Sequence, residues 1–538
     1  MDDKKKPYVN NRPQIVDSDA IDCPILDKVD ILVVGGSQSG VAAAVCAARA
    51  FNHLDKGQRK KRKIMLIEQN NYLGGQSVTN MVTQWEIPAF RMNVGLWQIK
   101  GIGLEMVERI VEKGGSDKLW EDLMHVKNGQ SDQWPFLGPE QHLTGEEGLS
   151  LEAIKLTLLE MCEEAGIDLL LDTRVVAAIQ KETDESSMPS ELANLENSEK
   201  PEGIIATAAG VVVEHYGGRG AVLADCIIDA SANAVIPFWI GGQKSCKINP
   251  PEKRGLTQSY LWIGGVDMKR LIEWANSVPE DIMERYPNDP DQLKKHAETG
   301  RLIWFKTKKW GQPQELFERA ADDDKLDILF KSEFTPVGFY MKWVGCYPGH
   351  GQFAFDGPYY RKDSLNGKIW TKEHMHNLYG SWGLYHLVKH IPGFENSFIS
   401  RTCERMGLRT TRIPKGLYTI TGDDLKNHRA HPDAIGVGDW HDTSHKFETG
   451  KWGYHVPLRA LISKNIDNVL FCTRSVSFGP GAMNAHRGIG TTIVCGQGAG
   501  VAAAVSIQSK KKPRDIDYKV VREILEKQNV VTEIPEKK

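Results

Sequence analysis

The chain lacks any run of eighteen consecutive apolar residues, any Cys-x-x-Cys pair and any sizeable net charge, and each lack removes a class of protein. Without the long apolar run no membrane-spanning helix is expected. Nine cysteines, an odd number with none of the ligand spacings of a zinc site, do not read as a disulfide framework. Free thiols in a reducing compartment are expected instead, with a cytoplasmic location as the default. A formal charge of −3 gives no electrostatic reason for a nucleic-acid partner or an anionic membrane. The first 27 residues are polar and interrupted by proline, so no signal peptide is expected there. No His-Glu-x-x-His or comparable pattern occurs; no metal is expected, and the histidines are weighed singly.

What is present is ample. With 538 residues, 41% of them apolar and 25% charged, the chain is long enough for two or more lobes with substantial cores. The strongest local signal is the apolar run 29–34 followed at once by Gly35-Gly36-Ser37-Gln38-Ser39-Gly40 and an Ala-rich stretch, 41–50. Strand, glycine turn and helix in direct succession is the context in which a glycine motif binds a dinucleotide. The first glycine permits the tight turn and the last permits close helix–strand packing. The helix start then offers bare N–H groups to a pyrophosphate. A second strand, 63–67, ends in Glu68, placed to accept both ribose hydroxyls. Two features depart from the usual pattern. Ser37 replaces the middle glycine, so its side chain must point away from the phosphates. Glu68 also lies more than the roughly 20 residues beyond Gly40 that the motif expects. The excess reads as a longer helix and a basic loop, 59–63, taken as solvated. After Glu68 and Gln69, the Gly74-Gly75 pair lets backbone run close to a flat cofactor.

Further along, a helix is expected from 151 to 162 and strands at 167–171 and 175–179, the latter beginning at Val175. Residues 181–202, rich in Glu, Ser, Asn and Pro, read as a solvated, mobile insertion. Beyond them, 203–214 and 221–229 read as a hairpin turning at 217–220. From 241 to about 452 tryptophan, histidine and other aromatics accumulate, which reads as a substrate lobe with long functional loops. The nucleotide-domain pattern then returns: a strand at 468–472 leading to Arg474, a glycine-rich turn, and a small-residue helix near Gly488, Gly490 and Thr491. One amphipathic helix is expected in the tail, at about 518–528.

These separated blocks resemble the FAD-dependent oxidoreductases of the glutathione-reductase structural class, and are similar to flavoproteins related to fumarate reductase and succinate dehydrogenase. The resemblance spans residues 29–517 and is carried by residues 33–40, Glu68 with Leu73-Gly74-Gly75, and the turn Asp229-Ala230-Ser231-Ala232-Asn233-Ala234. Further blocks are 407–413, 433–435, 440–442, 456–461 and 468–500. It implies FAD, with the pyrophosphate at Gly35 to Gly40. It also assigns to the cofactor Gln69, Gln76, Ser77, Val175, Ala230, Ser231, Arg474, Gly488, Gly490 and Thr491.

The expected fold is α/β, a Rossmann-type FAD-binding domain discontinuous in sequence with an inserted α+β substrate domain. Its pieces are 28–89, 151–241 and 454–509. Residues 90–150 form a helical connection, 242–453 the substrate or cap domain, and 510–538 a C-terminal helix and tail. The expected chemistry is hydride transfer between a small organic substrate and the flavin N5. The candidate bases are His441 beside Asp442 and His486 beside Arg487. Arg409, Arg412 and Arg487 are candidates for holding a carboxylate or oxyanion. Each of these residues has an ordinary structural alternative, an ion pair or a hydrogen-bonded histidine. Two other readings stay open: a monooxygenase or halogenase fed by an external reductant, and a non-catalytic FAD-stabilised binding protein. A small-molecule substrate and an unidentified electron acceptor or donor are the expected partners, and a homo-oligomer is left open.

Overall fold

A computed structural model describes residues 23–55, 62–83, 85, 100–115, 149–183, 192, 194–199, 203–254, 257, 259–280, 283–286, 288–298, 304–307, 342–347, 352–356, 364–409, 411–438, 453–479 and 481–534. In chain order the first part holds β1 (Ile25–Val34), α1 (Gln38–Leu54), β2 (Ile64–Ile67), α2 (Gln76–Thr79), α3 (Ile102–Glu112), α4 (Leu151–Glu164) and β3 (Asp168–Leu170). Then come β4 (Arg174–Lys181), β5 (Ala206–His215), β6 (Gly218–Asp229) and α5 (Val235–Gly241).

The strand runs 31–34 and 64–67 are apolar throughout and buried on both faces, as parallel strands covered by helices must be. β3, β2, β1 and β6 lie side by side in parallel register, Val34 facing Ile67 on one side and Asp229 on the other. The first half of β6 also pairs antiparallel with β5, which pairs with β4. The expected hairpin is therefore one arm of a meander that leaves the main sheet. Where β5 departs, β18 (Val469–Phe471) takes its place beside Ile227–Asp229, in parallel. The discontinuous Rossmann-type sheet is thus observed, extended beside β6 by a strand from the far end of the chain.

The second part contains β7 (Cys246–Ile248), β8 (Tyr260–Gly264), α6 (Met268–Ser277), β9 (Met283–Tyr286), α7 (Pro290–Glu298), β10 (Trp304–Thr307), β11 (Lys342–Tyr347), β12 (Gln352–Asp356), α8 (Gly367–Val388), β13 (Phe398–Thr402) and β14 (Arg412–Pro414). Six of these strands form a sheet in the order β13-β8-β12-β11-β10-β9, antiparallel throughout. Much of the stretch expected to hold long loops, including 308–341 and 439–452, lies outside the described residues. The last part adds α9 (Gly422–Lys426), β15 (Ala434–Gly438), β16 (Tyr454–Pro457), β17 (Ile466–Asp467), β18, α10 (Met483–His486), α11 (Ile489–Ser509) and α12 (Tyr518–Lys527).

Helix α11 is the partner that α1 requires. Ala42, Ala43, Ala44 and Ala47 on α1 are wholly buried, and small side chains on both helices let the backbones close in. A Cβ at Gly496 would overlap the Ser39 carbonyl, and one at Gly500 the Ala43 carbonyl. By length and composition α11 could cross a membrane, but 89% of that window is buried inside the protein. It is a core helix.

Two sequence readings are corrected. Residues 181–202 are not solvated throughout: Leu192 is fully buried, and Glu196 and Ser198 accept bonds from the buried Arg459. A buried guanidinium has five donors to satisfy, and this segment supplies acceptors that the sheet does not. In the basic run, residues 59–61 lie outside the described residues. Arg62 lies over the Phe51 ring and pairs with Asp30, and Lys63 pairs with Asp27.

Candidate functional site

The turn after β1 is built for close approach. Gly35 has φ +116°, and a Cβ there would lie 2.5 Å from the Ala230 carbonyl oxygen. At Gly40 a Cβ would overlap the Gly35 carbonyl itself. Ser37 caps α1, its hydroxyl accepting from the Gly40 amide at 3.4 Å. Its Cβ would sit 2.7 Å from one added at Gly75, so the serine faces the Gly74-Gly75 loop. The remaining first-turn N–H groups of α1 are orphan donors beside the positive end of a helix dipole.

Glu68 closes β2 and is buried. One carboxylate oxygen accepts from the Gly36 amide at 2.7 Å, and the other from the Asn70 amide at 3.0 Å and its side chain at 2.7 Å. Burial raises its pKa, and those backbone donors oppose the rise. Gln69 follows in the same turn. Val175 pairs with Val213 on the meander, half-buried.

Opposite this turn, Asp229 ends β6 fully buried and organises residues 229–236. Its carboxylate accepts from the Ser231 amide at 3.0 Å, the Ser231 hydroxyl at 2.5 Å and the Ile236 amide at 2.9 Å. Ala232 and Ala234 are held at φ +59° and +47°, and Thr473 at φ +69°. Positive φ is uncommon for non-glycine residues and costly for a β-branched one, and such strain concentrates where function needs it. Arg474, directly after Thr473, donates to the Ala232 carbonyl at 3.1 Å. Burial pulls its pKa down to about 10, and the charges of Arg409 and Arg487 add to the fall. Arg474 is therefore anchored to the 229–234 turn within electrostatic reach of Arg409 and Arg487.

The other candidates separate. Arg412 lies over the Phe238 ring, 4.2 Å from its centroid, with its Nε buried and unpartnered among the described residues. Asp229 and Arg254 are among the charges that act on it. The reading of His486 as a base is corrected. The ring is fully buried even without a cofactor, bonded to the Tyr454 hydroxyl at 3.0 Å and 3.5 Å from the Cys495 sulfur. Burial drives its pKa to about 4, so the ring is held neutral in the core. His441 and Asp442 lie outside the described residues. Gly488 caps α11, with Gly490 and Thr491 in the first turn.

Two features had no strong signal in the sequence. The Asp433–Arg459 pair is wholly buried, with contacts at 3.0 and 3.1 Å; both residues lie in blocks that carry the resemblance, but nothing in the sequence paired them. Ser39 was read as part of the turn alone, yet its hydroxyl donates to Thr492 at 2.6 Å and accepts from Thr473 at 3.1 Å. Among the described residues no group of three His, Cys, Asp or Glu could hold a metal.

A parallel sheet in this order, a glycine turn under a helix start and an acid closing the second strand define a dinucleotide-binding α/β protein. The chain belongs to the FAD dependent oxidoreductase family, whose model matches residues 30–525. It is an FAD-dependent enzyme of oxidation and reduction. No curated protein matches the chain significantly in sequence. Among solved structures it is similar to a geranylgeranyl bacteriochlorophyll reductase-like protein from Thermoplasma acidophilum, at 12% identity over 94% of this chain and 82% of that one, TM-score 0.36. A myxobacterial chondrochloren halogenase gives 9% identity over 93% and 79%, TM-score 0.37. A flavocytochrome c3 fumarate reductase gives 12% over 89% and 78%, TM-score 0.34. Likeness at this level leaves reaction and substrate open.

The residues present fit FAD. The glycine turn and Gly75 leave no room for side chains where a pyrophosphate must approach backbone. Gln38 Nε2, Gln76 Oε1 and both polar side-chain atoms of Asn80 are buried without partners among the described residues. Unpaired buried amides cost free energy unless a ligand answers them.

Proposed function

We propose that the chain transfers a hydride between a small anionic organic substrate and FAD. FAD, when bound, supplies a two-electron acceptor or donor at its ring N5. In this reading the turn 35–40 holds the pyrophosphate, Glu68 the adenosine ribose, and the ring lies between Gly74-Gly75 and the start of α11. Gln76, Ser77, Ala230, Ser231, Gly488, Gly490 and Thr491 line that path.

The observation that carries the reading is Arg474 held against the 229–234 turn by its bond to the Ala232 carbonyl, with the charges of Arg409 and Arg487 acting on it. Gathering like charges costs free energy, and an anion offsets that cost. A carboxylate is the small organic anion whose two oxygens match a guanidinium fork. Oxidation of an alcohol or amine bearing that carboxylate would also need a base for the departing proton. His486 is sequestered, which leaves His441 with Asp442 as the proposed pair. The lobes are proposed as 28–89, 151–241 and 454–509 for FAD, and 242–453 for substrate.

Anaerobic reduction of the yellow protein by matched acids and neutral alcohols or amines tests this. Bleaching by a hydroxy or amino acid, and not by its amide, is the expected result. Reduction only by a nicotinamide donor, accelerated by an aromatic substrate, would replace the proposal with a monooxygenase.

A further inference from the structure

The segment following β13 lies on the cofactor loop. The amides of Glu404 and Arg405 both donate to the Thr79 carbonyl at the end of α2, at 2.8 and 3.1 Å. The Tyr72 hydroxyl bonds the Glu404 carboxylate, which also pairs with Arg401. Beneath them Cys403 and Met406 pack into an apolar cluster with Met81, Leu151 and Tyr260. Residue 405 is therefore fixed against the Gly74-Gly75 loop by main chain and neighbours, whatever its side chain does.

That side chain is a half-buried guanidinium with no ion-pair partner among the described residues. Its charge reaches Glu68, Tyr72 and His374. Glu68 does not hold it in an ion pair: its carboxylate accepts from Gly36 and Asn70, and its remaining lone pairs are those proposed for the ribose. Next to Thr79, the Asn80 amide is buried with both polar atoms unanswered. A cation and an unsatisfied amide thus stand at the end of α2, whose Gly75 start lies against Ser37 of the glycine turn. Glu68 attracts no phosphate, and the α1 start beside it does.

We propose that Arg405, carried by the antiparallel sheet of the second lobe, binds the phosphates of the adenosine diphosphate half of FAD. Guanidinium and phosphate form parallel charge-assisted hydrogen bonds, a geometry that lysine does not reproduce. The cofactor is then held from both sides: by the helix start of one lobe and by an arginine of the other. This rests on the turn 35–40 taking the pyrophosphate.

The test is binding of FAD, ADP and adenosine to full-length apoprotein by calorimetry, for wild type, Arg405→Gln and Arg405→Lys, with melting curves to confirm folding. Arg405→Gln should weaken FAD and ADP by roughly tenfold to a hundredfold, the range of a charge-assisted bond. Adenosine should bind all three proteins alike, and Arg405→Lys should recover part of the loss. Unchanged FAD and ADP affinity would overturn the assignment. So would an equal loss for adenosine, because Arg405 would then act on the ribose site or on the fold. Wild type that binds adenosine but gains nothing from the ADP phosphates would instead remove the 35–40 pyrophosphate site, and this proposal with it.

Discussion

Ser39 and Thr492, 453 positions apart, are joined by a 2.6 Å hydrogen bond from the serine hydroxyl to the threonine carbonyl. The same hydroxyl accepts from the Thr473 amide at 3.1 Å. One side chain in the glycine turn therefore fixes both the first turn of α11 and the strained residue before Arg474. Ser39→Ala would leave a buried amide and carbonyl unanswered. A loss of about 1–3 kcal/mol is expected, read as a lower urea midpoint, together with weaker FAD binding. Unchanged stability would mean that water replaces the hydroxyl.

Gly40→Val and Gly36→Asp should yield protein without yellow colour. The first drives a branched side chain into the Gly35 carbonyl. The second puts a carboxylate against Glu68, whose Cβ is 3.0 Å from the position of the new one. Tyr216, 96% exposed at a hairpin tip, is the control, and Tyr216→Ser should keep full flavin content. Retention of FAD by either glycine variant would displace the pyrophosphate from this turn.

Arg487→Ala should stay folded and yellow while its flavin midpoint potential falls. A cation beside the ring favours the reduced anionic form. Loss of about 1–3 kcal/mol corresponds to roughly 20–65 mV for two electrons. Redox titration reads this directly. An unchanged potential with unchanged turnover would make Arg487 a structural residue.

Asp433→Ala should be the most destabilising of these changes, by about 3–5 kcal/mol, because it leaves Arg459 buried without its carboxylate. The Lys464–Glu199 pair has its carboxylate 40% exposed; Glu199→Gln there should cost no more than about 1 kcal/mol. Melting temperatures of the two variants give the comparison. Equal losses would show that Asp433 and Arg459 are reached by water.

Acid should unfold the protein well before its carboxylates titrate. His486 and His455 are both buried, with pKa values near 4 against an ordinary 6.5. Between those values the unfolded chain binds protons that the folded chain refuses, so stability is full above about pH 6.5 and falls as pH drops through the window. Each ring removes up to about 3 kcal/mol by pH 4. His486→Gln should lower the slope of stability against pH by one proton. An unaltered slope would mean that the ring is already protonated in the folded state.

The elements that repeat a local rule were readable in advance. The run 29–34, the glycines at 35–40 and the Ala-rich helix each satisfy a requirement set by their own neighbours, as does Glu68 at a strand end. The amphipathic helix at 518–527 is another. What stayed hidden depends on residues far apart in sequence. Residues 194–199 look like a polar linker until Arg459 is placed beside them. His486 beside Arg487 looks like a catalytic pair until Tyr454 and Cys495 enclose the ring. Arg405 sits in a stretch with no periodicity at all, and only the Thr79 carbonyl shows where it goes.

The replacement of β5 by β18 along β6 sets an order for synthesis on the ribosome. When the N-terminal half emerges, β1, β2, β3 and β6 can align, but β6 has an open edge at Ile227–Asp229 and α1 an uncovered alanine face. Both wait for residues 469–509, which leave the ribosome only after residues 230–468. The nascent chain therefore carries a sticky half-domain through more than two hundred residues of translation. A chain stopped before α11 should be retained by chaperones or degraded, even though it contains the entire glycine motif.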